Sequence, residues 1–167
     1  MMATTLQMKV YTGTGGATEN PSSGSAINFN FLSTDSYDSV GTAVVKSPVE
    51  RSTSGNAYSY ERIVRISFSG NTETLSSVKA YAPSLDLPTG VSVNVGVSNS
   101  ASSPINTVSS VALTPLPTTL GTAIDITPTG GVTVGGGYTK YLYLQFVVAS
   151  TATVDGDIGK FGLRISY

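Results

Sequence analysis

Residues 141–148 read YLYLQFVV, and the pattern of this segment indicates the fold class. Apolar side chains recur at every second position, at Leu142, Leu144, Phe146 and Val148. The positions between them begin with Tyr141, Tyr143 and Gln145. Because successive side chains of a strand point to opposite faces, the stretch predicts a β-strand with one face in a core. One apolar and one more polar face is typical of antiparallel sheets.

The same two-residue period recurs in five further segments, at 6–11, 27–31, 60–68, 91–97 and 161–167. Weaker candidates for strands lie at 40–47, 76–82 and 123–127. We find no convincing 3.6-residue apolar stripe, which a helix would require. The sequence therefore predicts an all-β, antiparallel β-sandwich of about 7–9 strands, and it leaves immunoglobulin-like and jelly-roll topologies open.

The length of 167 residues suits one sandwich domain, which we place at 26–167. We expect residues 1–25 to supply an N-terminal strand and a flexible segment that acts as a contact arm. Long connections rich in Ser, Thr, Gly and Pro follow the strands, notably at 98–122 and 127–137. Ordered loops of this length are uncommon unless they bind something, so these loops are either mobile or part of a contact surface.

The chain contains no Cys and no His. This excludes thiol nucleophiles, disulfides, Cys/His zinc sites and a Ser-His-Asp triad. A net charge of −1, with charged residues at 11%, offers no basic stripe for nucleic acid. The longest apolar run, at 146–149, is far too short to span a membrane. We therefore predict a non-enzymatic protein with no catalytic residue, no metal ion and no cofactor, binding neither nucleic acid nor membrane.

Two groups of aspartates need an explanation. Asp155 and Asp157 stand beside glycines in DGDIG, where Asp-Gly between alternating segments is a hairpin-turn signal. The spacing does not match a calcium loop, which supplies more oxygen ligands. Asp35 and Asp38 are likewise expected to cap turns. The sequence thus favours turns over a Ca²⁺ site in both places.

Nine tyrosines and no tryptophan raise the question of binding. Tyr141 and Tyr143 alternate with core leucines, so we expect both on the exposed outer face of the sheet. Exposed aromatic rings can anchor a protein partner or stack on sugars, or they can stiffen the sheet as cross-strand pairs. The candidate partner-contact residues are Tyr11, Tyr138, Tyr141, Tyr143, Gly135, Gly136 and Gly137.

The order of several segments resembles a group of small virion structural proteins of tailed bacteriophages. These segments are LQMKVYTG (6–13), INFNFLSTDS (27–36), YSYERIVRISF (58–68), LPTGVSVNVGVS (87–98) and the closing residues 141–167. The resemblance implies a β-sandwich that joins a virion assembled in the host bacterial cytoplasm. No leader with a basic flank and an apolar core opens the sequence MMATTLQMKV, which agrees with assembly in a cytoplasm.

Within that group, the leading interpretation is a capsid decoration, or cement, protein that reinforces the assembled head. Its partner would be the phage major capsid protein or neighbouring virion proteins, and it would form a homo-oligomer within a symmetric assembly. A neck, tail or fibre-attachment component is the alternative. A carbohydrate-binding module on the virion surface is the second alternative.

Overall fold

In a computed structural model of the chain, the alternating segments form antiparallel strands. The structure describes residues 4–22, 24, 31, 35, 49–70, 73–109, 111–153 and 160–167. The strands are β1 (Thr5–Thr12), β2 (Thr18–Asn20), β3 (Asn56–Tyr58), β4 (Arg62–Ser69), β5 (Thr74–Leu75), β6 (Lys79–Tyr81), β7 (Leu85–Asp86), β8 (Val91–Ser98), β9 (Thr114–Pro115), β10 (Ile124–Asp125), β11 (Val132–Thr133), β12 (Tyr141–Ala149), β13 (Lys160–Phe161) and β14 (Arg164–Ser166). Two short 3₁₀ turns lie at Thr14–Gly16 and Leu120–Thr122.

Among the described residues, the main sheet has seven strands, in the order β2-β1-β4-β12-β8-β9, with β3 also paired to β12. The central strand is β12, which pairs along its length with β8 on one side. On its other side it pairs first with β4 and then with β3. The strand with the clearest alternation in the sequence therefore holds both halves of the sheet together.

The inner face of the main sheet packs against a second layer of short sheets. This layer consists of β10-β6-β14, β11-β5 and β13-β7. Its buried residues Val78, Ala80 and Ile126 share one core with the alternating apolar side chains of β1, β4, β8 and β12. The predicted all-β antiparallel sandwich is confirmed.

Four of the strong sequence segments, at 6–11, 60–68, 91–97 and 141–148, correspond to β1, β4, β8 and β12, and the closing segment differs from the prediction. The closing segment 161–167 is divided, because β13 pairs with β7 whereas β14 pairs with β6. Two of the weaker candidates contain short strands, β6 and β10. Residues 27–30 and 40–47 lie outside the described residues, although Phe31 packs on Phe146 with ring centroids 4.2 Å apart.

The described part of the N-terminal segment belongs to the sheet. β1 lies between β2 and β4, and it pairs with β4 over residues 5–11. Val10 is fully buried in the core. The predicted N-terminal strand is therefore β1, and with β2 it extends the sheet to residues before the predicted domain start at 26. A role of residues 1–25 as a contact arm stays a prediction.

The outer face of the main sheet is covered in part by the connection between β8 and β9. We call its described residues, 99–109 and 111–113, the strap. It leaves the sheet after Ser98, crosses over Tyr143 and returns to pair at Thr114 with Val95. The predicted long connection therefore packs largely on its own sheet.

Two glycines, one in β8 and one in the 3₁₀ turn after β1, allow the strap to pack directly against the backbone beneath it. A Cβ on Gly96 would be 2.7 Å from the Ala112 carbonyl oxygen and 2.8 Å from side-chain atoms of Val111 and Leu113. A Cβ on Gly16 would be 2.9 Å from the Cβ of Ala101. Real Cβ atoms do not approach other atoms this closely, so the strap needs glycine at both places.

We expect Gly96→Ala to destabilise the fold by about 1–3 kcal/mol, because the added methyl group must displace the strap backbone. Urea unfolding followed by circular dichroism measures the loss. Gly121→Ala is the matched control, since a Cβ there meets no atom within 4 Å. Equal stability of the two variants would contradict the close packing of the strap.

We expect deletion of residues 1–25 to abolish cooperative folding, because it removes β1 and β2 together with the buried Val10 side chain. Loss of a core strand exposes apolar surface on β4, its former neighbour. Circular dichroism and size-exclusion chromatography measure the result. A soluble, cooperatively unfolding truncated chain would show that these strands are dispensable.

Candidate functional site

Beside the strap, the outer face carries tyrosines grouped around one arginine. Lys9 of β1 lies opposite Arg65 of β4, and β12 begins alongside at Tyr141. Tyr138 lies beside β4 because its backbone forms an isolated antiparallel β-bridge with Ser67. We call Tyr11, Arg65, Tyr138 and Tyr141 the tyrosine–arginine cluster.

The guanidinium of Arg65 is fixed by four contacts. Its central carbon lies 4.3 Å from the ring centroid of Tyr141 and 4.9 Å from that of Tyr138. Its Nε–H donates to the Thr139 carbonyl oxygen at 2.8 Å, and Nη1 donates to the Tyr141 hydroxyl at 3.3 Å. Cation–π contacts at exposed sites contribute about 0.5–1 kcal/mol. Together these contacts hold the side chain in one orientation.

Tyr11 connects the cluster to an ion pair at the sheet edge. Its ring meets Tyr141 edge-on, with centroids 5.4 Å apart. Its hydroxyl donates to Glu19 Oε2 at 2.7 Å, and Lys9 Nζ lies 3.4 Å from Glu19 Oε1. Burial, followed by the hydrogen bond to Glu19, raises the pKa of Tyr11 well above its ordinary value. The phenol therefore remains a protonated donor, and Glu19 is engaged from both oxygens.

The structure brings together three of the predicted contact residues, Tyr11, Tyr138 and Tyr141. Tyr11 is 8% exposed, whereas Tyr138 and Tyr141 are half-buried, as is Arg65. The surface that a partner could touch is therefore formed by Arg65, Tyr138 and Tyr141.

The expectation that Tyr143 is exposed differs from the structure. Tyr143 does point to the outer face, as its alternation with the core leucines predicts, but it is only 1% exposed. Its hydroxyl donates to the Ser100 carbonyl oxygen at 2.9 Å and accepts from the Ser102 amide at 2.8 Å. The strap covers the ring, so Tyr143 anchors the strap in the described structure and does not present a contact surface.

The glycines at 135–137 form a turn that leads into Tyr138. The Gly136 amide donates to the Phe68 carbonyl oxygen at 3.0 Å, and the Gly137 carbonyl oxygen accepts from the Phe68 amide at 2.9 Å. Gly135 and Gly136 are exposed. The turn is thus docked on the end of β4, where it positions Tyr138; its contact with a partner stays a prediction.

Two buried polar side chains hold the far end of the strap. Gln145 Nε2 donates to the carbonyl oxygens of Ser59 at 3.0 Å and Thr107 at 2.9 Å. Glu61 accepts from the Ile105 amide at 3.3 Å, and its own amide donates to the Ile105 carbonyl oxygen at 3.0 Å. Both side chains are 1% exposed. Burial raises the pKa of Glu61 above its ordinary value, although the Ser109 hydroxyl and the Ile105 amide oppose this shift.

The two-residue period of segments 60–68 and 141–148 puts Glu61, Arg65 and Gln145 on the polar faces of their strands, but it assigns them no role. The sequence feature that could have identified these three residues is their position on the same strand faces as the tyrosines. Their contacts depend on strand register and on the course of the strap, which alternation does not specify.

A polar cleft of about 330 Å³ lies elsewhere, beside the turn that follows β10. It is lined by Thr74, Ser76, Asp125, Thr127, Pro128, Thr129, Gly130, Gly131 and Lys140. The Thr127 hydroxyl and amide donate to Asp125 Oδ1 and hold the pKa of that carboxyl below its ordinary value. Asp125 therefore caps the turn as a carboxylate and is a weak base.

We compared the chain with protein-family models, curated proteins and solved structures, and none of them matches it. Within the described ranges, no three His, Cys, Asp or Glu side chains are grouped so that they could hold a metal ion. Asp155 and Asp157, like Asp38, lie outside the described residues. In the part of the chain that the structure describes, no helix is long and apolar enough to cross a membrane.

We expect wild-type stability to fall as pH rises from about 4.5 through the raised folded pKa of Glu61. The sign follows because the folded state binds this proton more tightly than the unfolded state. Glu61→Gln keeps an acceptor for the Ile105 amide and removes the ionisation. The variant should therefore gain stability relative to wild type as pH rises. Urea unfolding at several pH values measures the difference.

Glu50→Gln serves as the control for this experiment, because Glu50 is exposed. Its pH profile should remain parallel to that of wild type. If the pH profile of Glu61→Gln is also parallel to that of wild type, burial under the strap does not raise the pKa of Glu61.

Proposed function

We propose that the chain is a non-enzymatic structural protein of a tailed-bacteriophage virion, and specifically a capsid decoration protein that binds the outside of the head and reinforces it. The observation that carries the proposal is the exposed part of the tyrosine–arginine cluster on a rigid sheet. Tyr and Arg are enriched among the residues that dominate protein–protein binding energy. The resemblance of the segment order to small virion proteins supplies the biological setting.

The surface chemistry supports docking between proteins. Charged residues make up 11% of the chain, and Ser and Thr are abundant. Because burying an ionised side chain costs much more than burying a hydroxyl that finds a hydrogen bond, such a surface can be covered at a low desolvation cost. A sandwich repeated around a symmetric shell would also add many modest contacts together.

The mechanism that we propose is mechanical. The outer face of the main sheet would be buried against shell subunits, and one copy would bridge two or more of them. Separating the subunits would then require breaking the contacts of the bridging copy as well. The strap stiffens this face, because Tyr143, Gln145 and Glu61 hold it down with buried hydrogen bonds.

The sugar-binding alternative has weaker support from the same geometry. A sugar stacks on the open face of an aromatic ring. Here the guanidinium of Arg65 already lies over the rings of both Tyr138 and Tyr141. Protein docking is therefore the function that we propose.

We expect gradient-purified virions from the encoding genome to contain the chain at on the order of hundreds of copies, scaled to the major capsid protein. Quantitative mass spectrometry measures the ratio. About six to a few dozen copies would assign the chain to the neck or tail instead. Absence from the particles would overturn the proposal.

In the same particles, Tyr138→Ala should lower occupancy by about ten-fold or more, because it removes a ring from the proposed docking surface. Tyr81→Ala is the matched control, since Tyr81 is also half-buried but lies in β6 of the second layer. Equal occupancy of the two variants would show that docking uses a different surface.

A further inference from the structure

Arg65 is held in place without being neutralised. Glu19, the carboxylate that Tyr11 of the cluster contacts, is already paired with Lys9 as well. Among the described residues, Arg65 forms no ion pair, and the charge of Lys9 is balanced by Glu19. The outer face therefore presents one fixed and uncompensated positive charge at a half-buried site.

We propose that the tyrosine–arginine cluster binds the carboxylate of an Asp or Glu side chain on a protein partner, and that Arg65 is the residue that receives it. The identity of the partner as a neighbouring virion protein rests on the proposed function. The recognition of a carboxylate does not.

The hydrogen bonds of Arg65 determine which of its edges is open. A guanidinium has five N–H donors in a planar fork. The Nε–H is used by Thr139, so the edge that combines Nε with a terminal nitrogen is occupied. Nη1 gives one N–H to Tyr141, and no described residue accepts from Nη2. The second N–H of Nη1 and both N–H groups of Nη2 therefore remain available to the two oxygens of a carboxylate.

The surroundings of this fork favour tight recognition. Two ring contacts and two hydrogen bonds already fix the side chain, so a ligand has little arginine mobility to remove. The rings of Tyr138 and Tyr141 also limit the access of water to the ion pair. Arginine and tyrosine side chains that exclude water in this way are typical of binding hot spots.

A protein carboxylate fits these observations better than a nucleic-acid phosphate does. Phosphate backbones are bound by several cations in a row, since each neutralised phosphate releases a counterion. The described cluster offers a single uncompensated cation. One fixed fork flanked by aromatic rings is suited to one acidic side chain in an otherwise uncharged protein surface.

The test follows the Arg65 Nε–Hε resonance of the ¹⁵N-labelled full chain by NMR. The probe is the blocked peptide acetyl-Gly-Glu-Gly-amide, titrated at constant ionic strength, and acetyl-Gly-Gln-Gly-amide is its neutral match. We expect a saturable shift with the Glu peptide and none with the Gln peptide. The Arg51 Nε–Hε resonance is the internal control, because Arg51 is exposed and its Nη1 donates to Ala152.

Arg65→Lys should weaken peptide binding by about ten-fold or more, because a lysine keeps the charge but lacks the fork. Binding is then followed through the amides of residues 138–141, and the rest of the spectrum reports whether the variant folds. Failure of wild type to saturate, or equal shifts at Arg51 and Arg65, would overturn the proposal. A stronger response to an oligothymidylate than to the Glu peptide would also overturn it.

The virion experiment separates this inference from the proposed function. If Arg65→Gln enters particles as well as wild type does, docking does not use Arg65; the assignment of the acidic partner as a virion protein then fails, while the virion role stands and the peptide titration alone decides the carboxylate site. If the Glu peptide shifts Arg65 but the chain is absent from particles, the proposed function fails and the carboxylate site stands.

Discussion

Both faces of β12, the central strand of the main sheet, are buried, and this burial determines how the neighbouring segments pack. Its inner face is apolar and joins the core, whereas its outer face carries Tyr143 and Gln145, which are polar and 1% exposed. A buried polar group without a hydrogen bond costs about 1–3 kcal/mol. The strap satisfies these groups with its own backbone, and it can lie close enough because residues 96 and 16 are glycines.

The same arrangement prepares the candidate site. The strap covers Tyr143 and Gln145 but leaves Arg65, Tyr138 and Tyr141 half-buried at the neighbouring part of the face. Register pairs β1 with β4 so that Lys9 and Arg65 are opposite, and Glu19 then balances Lys9 while Arg65 remains without an ion pair among the described residues. A rigid, partly exposed cation between two rings follows from these pairings, and it carries both proposals.

Alternation predicted the inner face well, because burial of one side of a strand requires apolar residues at every second position. It also placed Arg65 and the tyrosines on the opposite face. It could not predict that Tyr143 is buried, since the covering residues 99–113 have no period of their own and come from a distant part of the sequence. The role of Arg65 was missed for the same reason, because its four contacts come from residues 138–141, about 75 positions away.

Composition and alternation were sufficient to predict the all-β sandwich and its core strands β1, β4, β8 and β12, and to exclude Cys and His chemistry. These properties depend on composition and on a local two-residue period. The folded chain was needed to show which outer-face residues are covered, which are paired and which remain open to a partner. Those outcomes depend on register and on long-range hydrogen bonds, such as that between Gln145 and Thr107, and such contacts leave no periodic pattern in the sequence.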